Sequence, residues 1–231
     1  MANGEREFLL NYHKEDYDRP SVAVDLVLFT LQNGKLTVFL QPREEHPYQG
    51  VLALPGTFVD TRESIDDAVR RCLLQKIRLD GIYFEQLYTF GAVDRDPRMR
   101  IISVAYYALV SADKLREMDP TGDVLTHFYP VCEMDFPLAF DHRTIVECGV
   151  ARIAGKAEYT DIAFELLPAD FTLPQLQAVY EILLGKPLYK ANFRKKIADK
   201  IVATDRMTAP DGHRPSQIYN KKPAPEVSGD Q

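Results

Sequence analysis

Residues 54–78, LPGTFVDTRESIDDAVRRCLLQKIR, decide how most of this chain is read. The stretch opens on Pro55-Gly56, a break that follows the short apolar run 51–54. Ser64 is a good helix N-cap, and Asp66 and Asp67 suit a first turn, where unpaired N–H groups and the helix dipole favour negative charge. Ile65, Ala68, Val69, Cys72, Leu73 and Lys76 follow in helical register, so a helix is predicted over 64–77. Working outward, the neighbours are strands. Residues 21–31 (SVAVDLVLFTL) are rich in β-branched side chains, Asn33-Gly34 is a hairpin turn, and residues 36–41 are the return strand. Two further strands are predicted at 84–90 and 101–110, separated by the polar loop 94–100. Helical spacing returns from 141 to about 155, with Asp141 as N-cap. Residues 1–20 are polar and aromatic, end in Arg19-Pro20, and read as an arm.

The C-terminal part has another pattern. Thr172-Leu-Pro-Gln175 is a capping box, and Leu173, Leu176, Val179, Tyr180 and Leu183 recur at helical spacing until Gly185 and Pro187 stop the helix. A second helix is predicted over 190–200, with Phe193, Ile197 and Ile201 as its apolar stripe. A strand at 201–207, a Pro210-Asp211-Gly212 turn and a return strand at 216–219 complete the order helix, turn, helix, hairpin of a winged helix-turn-helix. Charge marks the same segment. From Lys186 to Lys222 ten Lys or Arg face three acids, giving +7, whereas the whole chain carries −6. A basic module on an acidic protein is the electrostatic footprint of nucleic-acid binding. With Phe193 and Ile197 turned inward, the second helix presents Lys190, Asn192, Arg194, Lys195 and Lys196 as candidates for phosphates and base edges, and Arg214 at the hairpin tip joins them. The rival is a solvated basic face, or a nucleic-acid binder without sequence preference.

Composition excludes several classes. The 231 residues are 45% hydrophobic, enough for a core, and no repeat is visible. Cys72, Cys132 and Cys148 are too few and too widely spaced for a disulfide framework or a cysteine zinc site, and the five histidines lack ligand spacing, so no metal is expected. The N-terminus has no apolar core of a signal peptide, and the apolar run 101–110 is too short to span a bilayer. A cytoplasmic protein with no membrane contact is the expectation.

Residues 54–60 with Glu63, Ser64 and a helix resemble the Nudix box, G-x5-E-x7-R-E-U-x-E-E-x-G-U. Anchored on Glu63, the alignment puts Thr57 at the first glycine, Arg71 at the arginine, Cys72 at the first helical glutamate, Gln75 and Lys76 at the glutamate pair, and Arg78 at the later glycine. Nudix hydrolases use those helical glutamates to hold Mg²⁺ against a pyrophosphate. Positions 72, 75 and 76 share one face of a regular helix, and here they are a thiol, an amide and an ammonium. The chain therefore reads as no enzyme, and Lys76 could hold an anion without metal.

A degenerate Nudix box followed by a winged helix resembles the NrtR family of Nudix-related transcriptional regulators. So do Gln86-Leu-Tyr-Thr-Phe-Gly91, Arg95-Asp-Pro-Arg98, Pro137-Leu-Ala-Phe-Asp-His142, Asn192-Phe-Arg-Lys-Lys196 and His213-Arg-Pro-Ser-Gln-Ile-Tyr219. The resemblance implies an α/β Nudix-like αβα sandwich over 1–150 that senses an effector. It implies a winged helix-turn-helix over 151–222, and residues 223–231 read as a disordered tail. It also implies a homodimeric repressor of palindromic double-stranded DNA, released by ADP-ribose or a related metabolite and tied to NAD metabolism, with no cofactor. Candidate ligand-binding residues are Arg43, Glu63, Arg71, Lys76, Arg95 and Arg98. Arg43 reads equally as a surface arginine, Glu63 as a structural residue, and the 95–98 loop as a plain turn. Asp141-His142 reads as an acid/base pair or, in the case of Asp141, as a helix cap. Arg6 on the arm is a further candidate for DNA contact, beside the reading of the arm as plain surface. The rival functions are an ADP-ribose-type pyrophosphatase and a sugar-responsive regulator of the same family.

Overall fold

A computed structural model describes residues 3–209 and 215–223. The N-terminal arm begins with a helix, α1 (Asn3–Leu10), which the sequence reading did not assign, and Phe8, Leu9 and Leu10 on it are exposed. The chain then enters β1 (Ser21–Gln32), turns through Asn33 and Gly34, both at positive φ as a tight hairpin requires, and returns as β2 (Lys35–Phe39). Two short strands follow, β3 (Gln41–Pro42) and β4 (Leu52–Ala53), paired with each other. Next come β5 (Gly56–Phe58), α2 (Ile65–Cys72), β6 (Tyr83–Phe90) and β7 (Ile101–Leu109). Between β7 and the long helix lie α3 (Ala112–Met118), α4 (Asp123–Thr126) and β8 (Phe128–Pro130), none of which the sequence reading assigned.

β1 sits at the centre of a mixed sheet in the order β6-β7-β1-β2-β8, with β5 pairing the first half of β1. Its run of seven buried residues follows from cover on both faces. Val24, Leu26 and Leu28 point to Ala68 and Val69 of α2 and Leu115 of α3, while Val27 and Phe29 point to the opposite layer. That layer is α5 (His142–Tyr159), 18 residues long and four residues beyond the expected end near 155. The expected domain border at 150 therefore falls inside a continuous helix. Gly149 lets α5 approach the sheet: a Cβ there would stand 3.1 Å from the Phe29 ring.

The C-terminal part contains β9 (Phe171–Thr172), α6 (Leu173–Leu184), α7 (Lys190–Ile197), β10 (Ile201–Met207) and β11 (Gln217–Lys221). The Thr172/Gln175 capping box forms, and Gly185 ends α6 at φ 64°. The second helix stops at Ile197, short of Lys200. β10-β11-β9 is the winged-helix sheet. The hairpin tip with Arg214, and the tail beyond Pro223, lie outside the described residues. No separate core marks this part: one apolar cluster runs from Val27 and Phe29 through Ile145, Val146 and Ile153 to Leu176, Val179, Tyr180 and Phe193. Among the described residues no helix is long and apolar enough to cross a membrane.

Candidate functional site

The box helix is regular only to Cys72. Leu73–Ile77 forms a π-turn, closed by Arg78 in the left-handed region at φ 62°. Such wide turns concentrate at functional sites. The turn overturns the expectation that positions 72, 75 and 76 share one face, because the wider winding re-aims the side chains that follow Cys72. Cys72 is fully buried in the core, and burial pushes its thiol up to about 12, so it offers no thiolate. Gln75 and Lys76 instead reach a cleft of 720 Å³.

That cleft is also lined by Arg43, Arg95, Arg98, Phe58, Phe140, Asp25 and His142. Arg95 is the buried member. Its guanidinium, 5% exposed, grips Asp141 through two hydrogen bonds of 2.6 and 2.9 Å and reaches Asp25 at 3.1 Å. Burial works against this charge, but the ion pairs with Asp141 and Asp25 prevail and hold the arginine above its ordinary pKa. Asp25 in turn accepts from Ser103 Oγ at 2.6 Å. Gly56 is obligatory here, since a Cβ would come within 2.6 Å of Asp25 Oδ1 and 2.7 Å of the Val24 carbonyl. Asp141 occupies the residue before α5, yet its side chain makes no cap bond. Its carboxylate is committed to Arg95 through a bidentate ion pair in which both partners are charged, and it makes no bond to the helix N–H groups.

His142 lies at the floor. Its Nδ1 accepts from the Leu54 N–H at 2.9 Å, so a neutral ring carries its proton on Nε2, which stands 3.6 Å from Asp25 Oδ1. Burial lowers its pKa. Toward the mouth, Arg43 lies over the Phe140 ring at 4.7 Å, and Arg98, ion-paired with Asp96, stands 5.8 Å from the Phe58 ring and 5.7 Å from Phe140. Phe140 is held at φ 52° to reach this place.

Glu63 and Arg71 are outside the lining. Arg71 donates to Glu63 at 2.6 and 3.1 Å, to Thr57 Oγ1 at 3.0 Å and to the Phe58 carbonyl at 2.8 Å. They brace the loop that carries Phe58, and the bonds from Arg71 hold the Glu63 carboxyl below its ordinary range. The sequence reading missed Asp25, Ser103 and Gly56. An aspartate inside the apolar run 21–31 was the available signal, because a buried carboxylate needs a partner.

On the second site, α7 buries Phe193 and Ile197 and leaves Lys190, Asn192, Arg194 and Lys195 exposed. Lys196 turns back: its Nζ donates to the Glu158 carbonyl at 3.0 Å and lies 5.4 Å from the Tyr180 ring. Arg206, part of the +7 count, is tied to Asp170 at 2.6 Å.

Residues 19–147 match the NUDIX domain family, and residues 163–220 match the NrtR DNA-binding winged helix domain. Together with a full-length relative, this decides the family. The chain belongs to the NrtR family. The relative, the "ADPR responsive transcriptional repressor NtrR" of Acinetobacter baylyi, is 33% identical over 94% of this chain and 88% of its own. The crystal structure of Shewanella oneidensis NrtR with a 27mer DNA covers 87% of this chain and 93% of its own, at 35% identity and a TM-score of 0.78. The NUDIX domain of that protein, solved with ADP-ribose, covers 64% of this chain and 97% of its own, at 32% identity and a TM-score of 0.54. An ADP-ribose pyrophosphatase from Methanocaldococcus jannaschii is 30% identical over 57% of this chain and 73% of its own. The NrtR architecture matches the expected fold class, a Nudix-like α/β sandwich with a C-terminal winged helix.

The Nudix metal needs a hard anionic donor set, and Cys72, Gln75 and Lys76 do not supply one. Among the described residues no group of three or more His, Cys, Asp or Glu is placed to hold a metal ion.

Proposed function

We propose that this NrtR-family chain is a homodimeric, cytoplasmic transcriptional repressor. Its Nudix cleft takes ADP-ribose or a related nucleoside diphosphate without hydrolysing it, and the ligand releases palindromic DNA upstream of NAD-metabolism genes. One observation carries the reading: α5 joins the two sites. Its first residue, His142, and Phe140 just before it line the cleft, and Asp141 between them holds the lining Arg95. About 24 Å further along, at 1.5 Å per residue, its Glu158 carbonyl accepts from Lys196 of α7, and Asp161 just beyond the helix pairs with Lys200 at 2.6 Å.

Arg95 connects ligand to helix. An anionic ligand in the cleft competes with Asp25 and Asp141 for this guanidinium, and a displaced Asp141 moves the start of α5. The helix moves as a unit with α6 and α7 because they share one core. In a dimer that displacement alters the spacing of the two α7 helices, so the ligand-bound form no longer fits both half-sites. On α7, Arg194, Lys195, Asn192 and Lys190 read the major groove, and Lys196 positions the helix.

A mobility shift on DNA from upstream of the protein's own operon, with and without ADP-ribose, tests this. A specific shift relieved by ADP-ribose is expected. A specific shift that ADP-ribose leaves unchanged would move the search to sugars and other metabolites. The pyrophosphatase relative favours a second reading, hydrolysis, and magnesium-dependent turnover of ADP-ribose would establish it against the first.

A further inference from the structure

Lys76 stands where two hollows meet. The main cleft of 720 Å³ and a neighbouring hollow of 440 Å³ share Gln41, Lys76 and His127 in their walls. The two differ in character. The main cleft offers the Phe58 and Phe140 rings, while the second offers Asp119, Thr121 and Asp123, acceptors suited to hydroxyl groups. A ligand that fills both has an aromatic end and a hydroxyl-rich end, and its middle passes Lys76.

The charge available at that middle is cationic. Arg95 and Arg98 enter the cleft paired with Asp25, Asp141 and Asp96, so a ligand engages them only by displacing those carboxylates. Lys76 has no ion-pair partner among the described residues, and neither does Arg78, which lines the second hollow. Arg78 keeps a left-handed backbone at φ 62°, a conformation disfavoured for a non-glycine residue. That backbone closes the π-turn presenting Lys76.

We infer that Lys76, assisted by Arg78, takes the place of the divalent metal. The chain binds the diphosphate of its ligand by direct ammonium and guanidinium contact, and its binding is metal-independent. A divalent cation beside Lys76 would be repelled, whereas a diphosphate gains two charge-assisted contacts. This inference rests on the reading of the cleft as a nucleoside diphosphate site, and it specifies how that site works.

Calorimetry on the full chain tests it, with ADP-ribose and with inorganic pyrophosphate, each in excess Mg²⁺ and in chelator. ADP-ribose is expected to bind with the same affinity in both conditions. Lys76→Gln should weaken it by about tenfold or more, and Lys76→Arg should retain it. Lys76 is exposed, so these variants keep the fold, which an unchanged melting temperature verifies. Binding that disappears in chelator, or a Lys76→Gln protein that binds as the parent does, would overturn the inference. If ADP-ribose binds in neither condition, the effector reading fails and pyrophosphate decides this one. Saturable pyrophosphate binding lost in Lys76→Gln upholds the anion site, and its absence in the parent removes it.

Discussion

Arg95 and Asp141 are joined by two hydrogen bonds that tie the β6–β7 loop to the start of α5. Arg95 is nearly buried, so losing this partner leaves a cation facing Asp25 alone. Asp141→Ala should cost about 2–3 kcal/mol, below the full penalty of a broken buried pair because Asp25 remains. Urea unfolding with an unchanged m-value reads this directly. Because it removes the tie that the ligand is proposed to break, the same variant should bind operator more weakly without ADP-ribose and respond less to it. A full response would detach α5 from the signalling route.

His142 makes stability depend on pH. Burial lowers its pKa, so below its ordinary value near 6.5 the unfolded chain takes up a proton that the folded one refuses. Its contribution is fully present above about pH 6.5 and is lost as pH falls toward the folded value, at up to ~1.4 kcal/mol per pH unit. Urea midpoints across this range should show the slope. His142→Gln should flatten it while lowering stability at neutral pH, because the flexible amide does not hold an acceptor where Nδ1 receives the Leu54 N–H. An identical slope in the variant would assign the effect to another group.

Gly149 sets the distance between α5 and the sheet. Gly149→Val forces branched atoms against the Phe29 ring, already 3.1 Å from where a Cβ would lie, and should destabilise by about 2–3 kcal/mol. Gly155, with nothing within 4 Å of its Cβ position, is the control. Gly155→Ala should be neutral or stabilising by up to ~1 kcal/mol, as expected for an open helix position. Thermal unfolding of the two variants side by side separates packing from helix propensity.

On α7, Arg194 and Lys196 should behave differently despite lying two residues apart. Arg194→Ala should weaken specific DNA about tenfold or more and reduce the salt dependence by about one ion. Lys196→Ala removes a bond to the Glu158 carbonyl, so its effect should fall on stability, by under ~1 kcal/mol, more than on the salt slope. Titrations at several salt concentrations distinguish them. Equal salt slopes for the two variants would place both ammonium and guanidinium on phosphate.

Local signals were legible where one residue acts through its neighbours. Asn33-Gly34, Ser64, the Thr172/Gln175 box and Gly185 each did what the sequence indicated, because caps and turns are satisfied within a few residues. The strand over 201–207 and the inward stripe of Phe193 and Ile197 were also readable, since periodicity reports which face is covered. Asp141 shows the limit. Its position favoured a cap, and only a partner 46 residues away in sequence, Arg95, showed where its carboxylate goes.

The sequence by itself determined two motifs, their order along the chain and the exposed basic face of α7, because propensity, spacing and charge are local properties. Tertiary structure decided what connects them. It placed Asp25, Arg95, Asp141 and His142 in one network drawn from β1, a loop and the start of α5. It turned Cys72 into the core and Lys76 into the cleft through a π-turn that a regular helical register does not foresee. It also ran one apolar cluster through both parts of the chain. Contacts between distant segments depend on how whole faces fit together, and no single stretch of sequence carries that information.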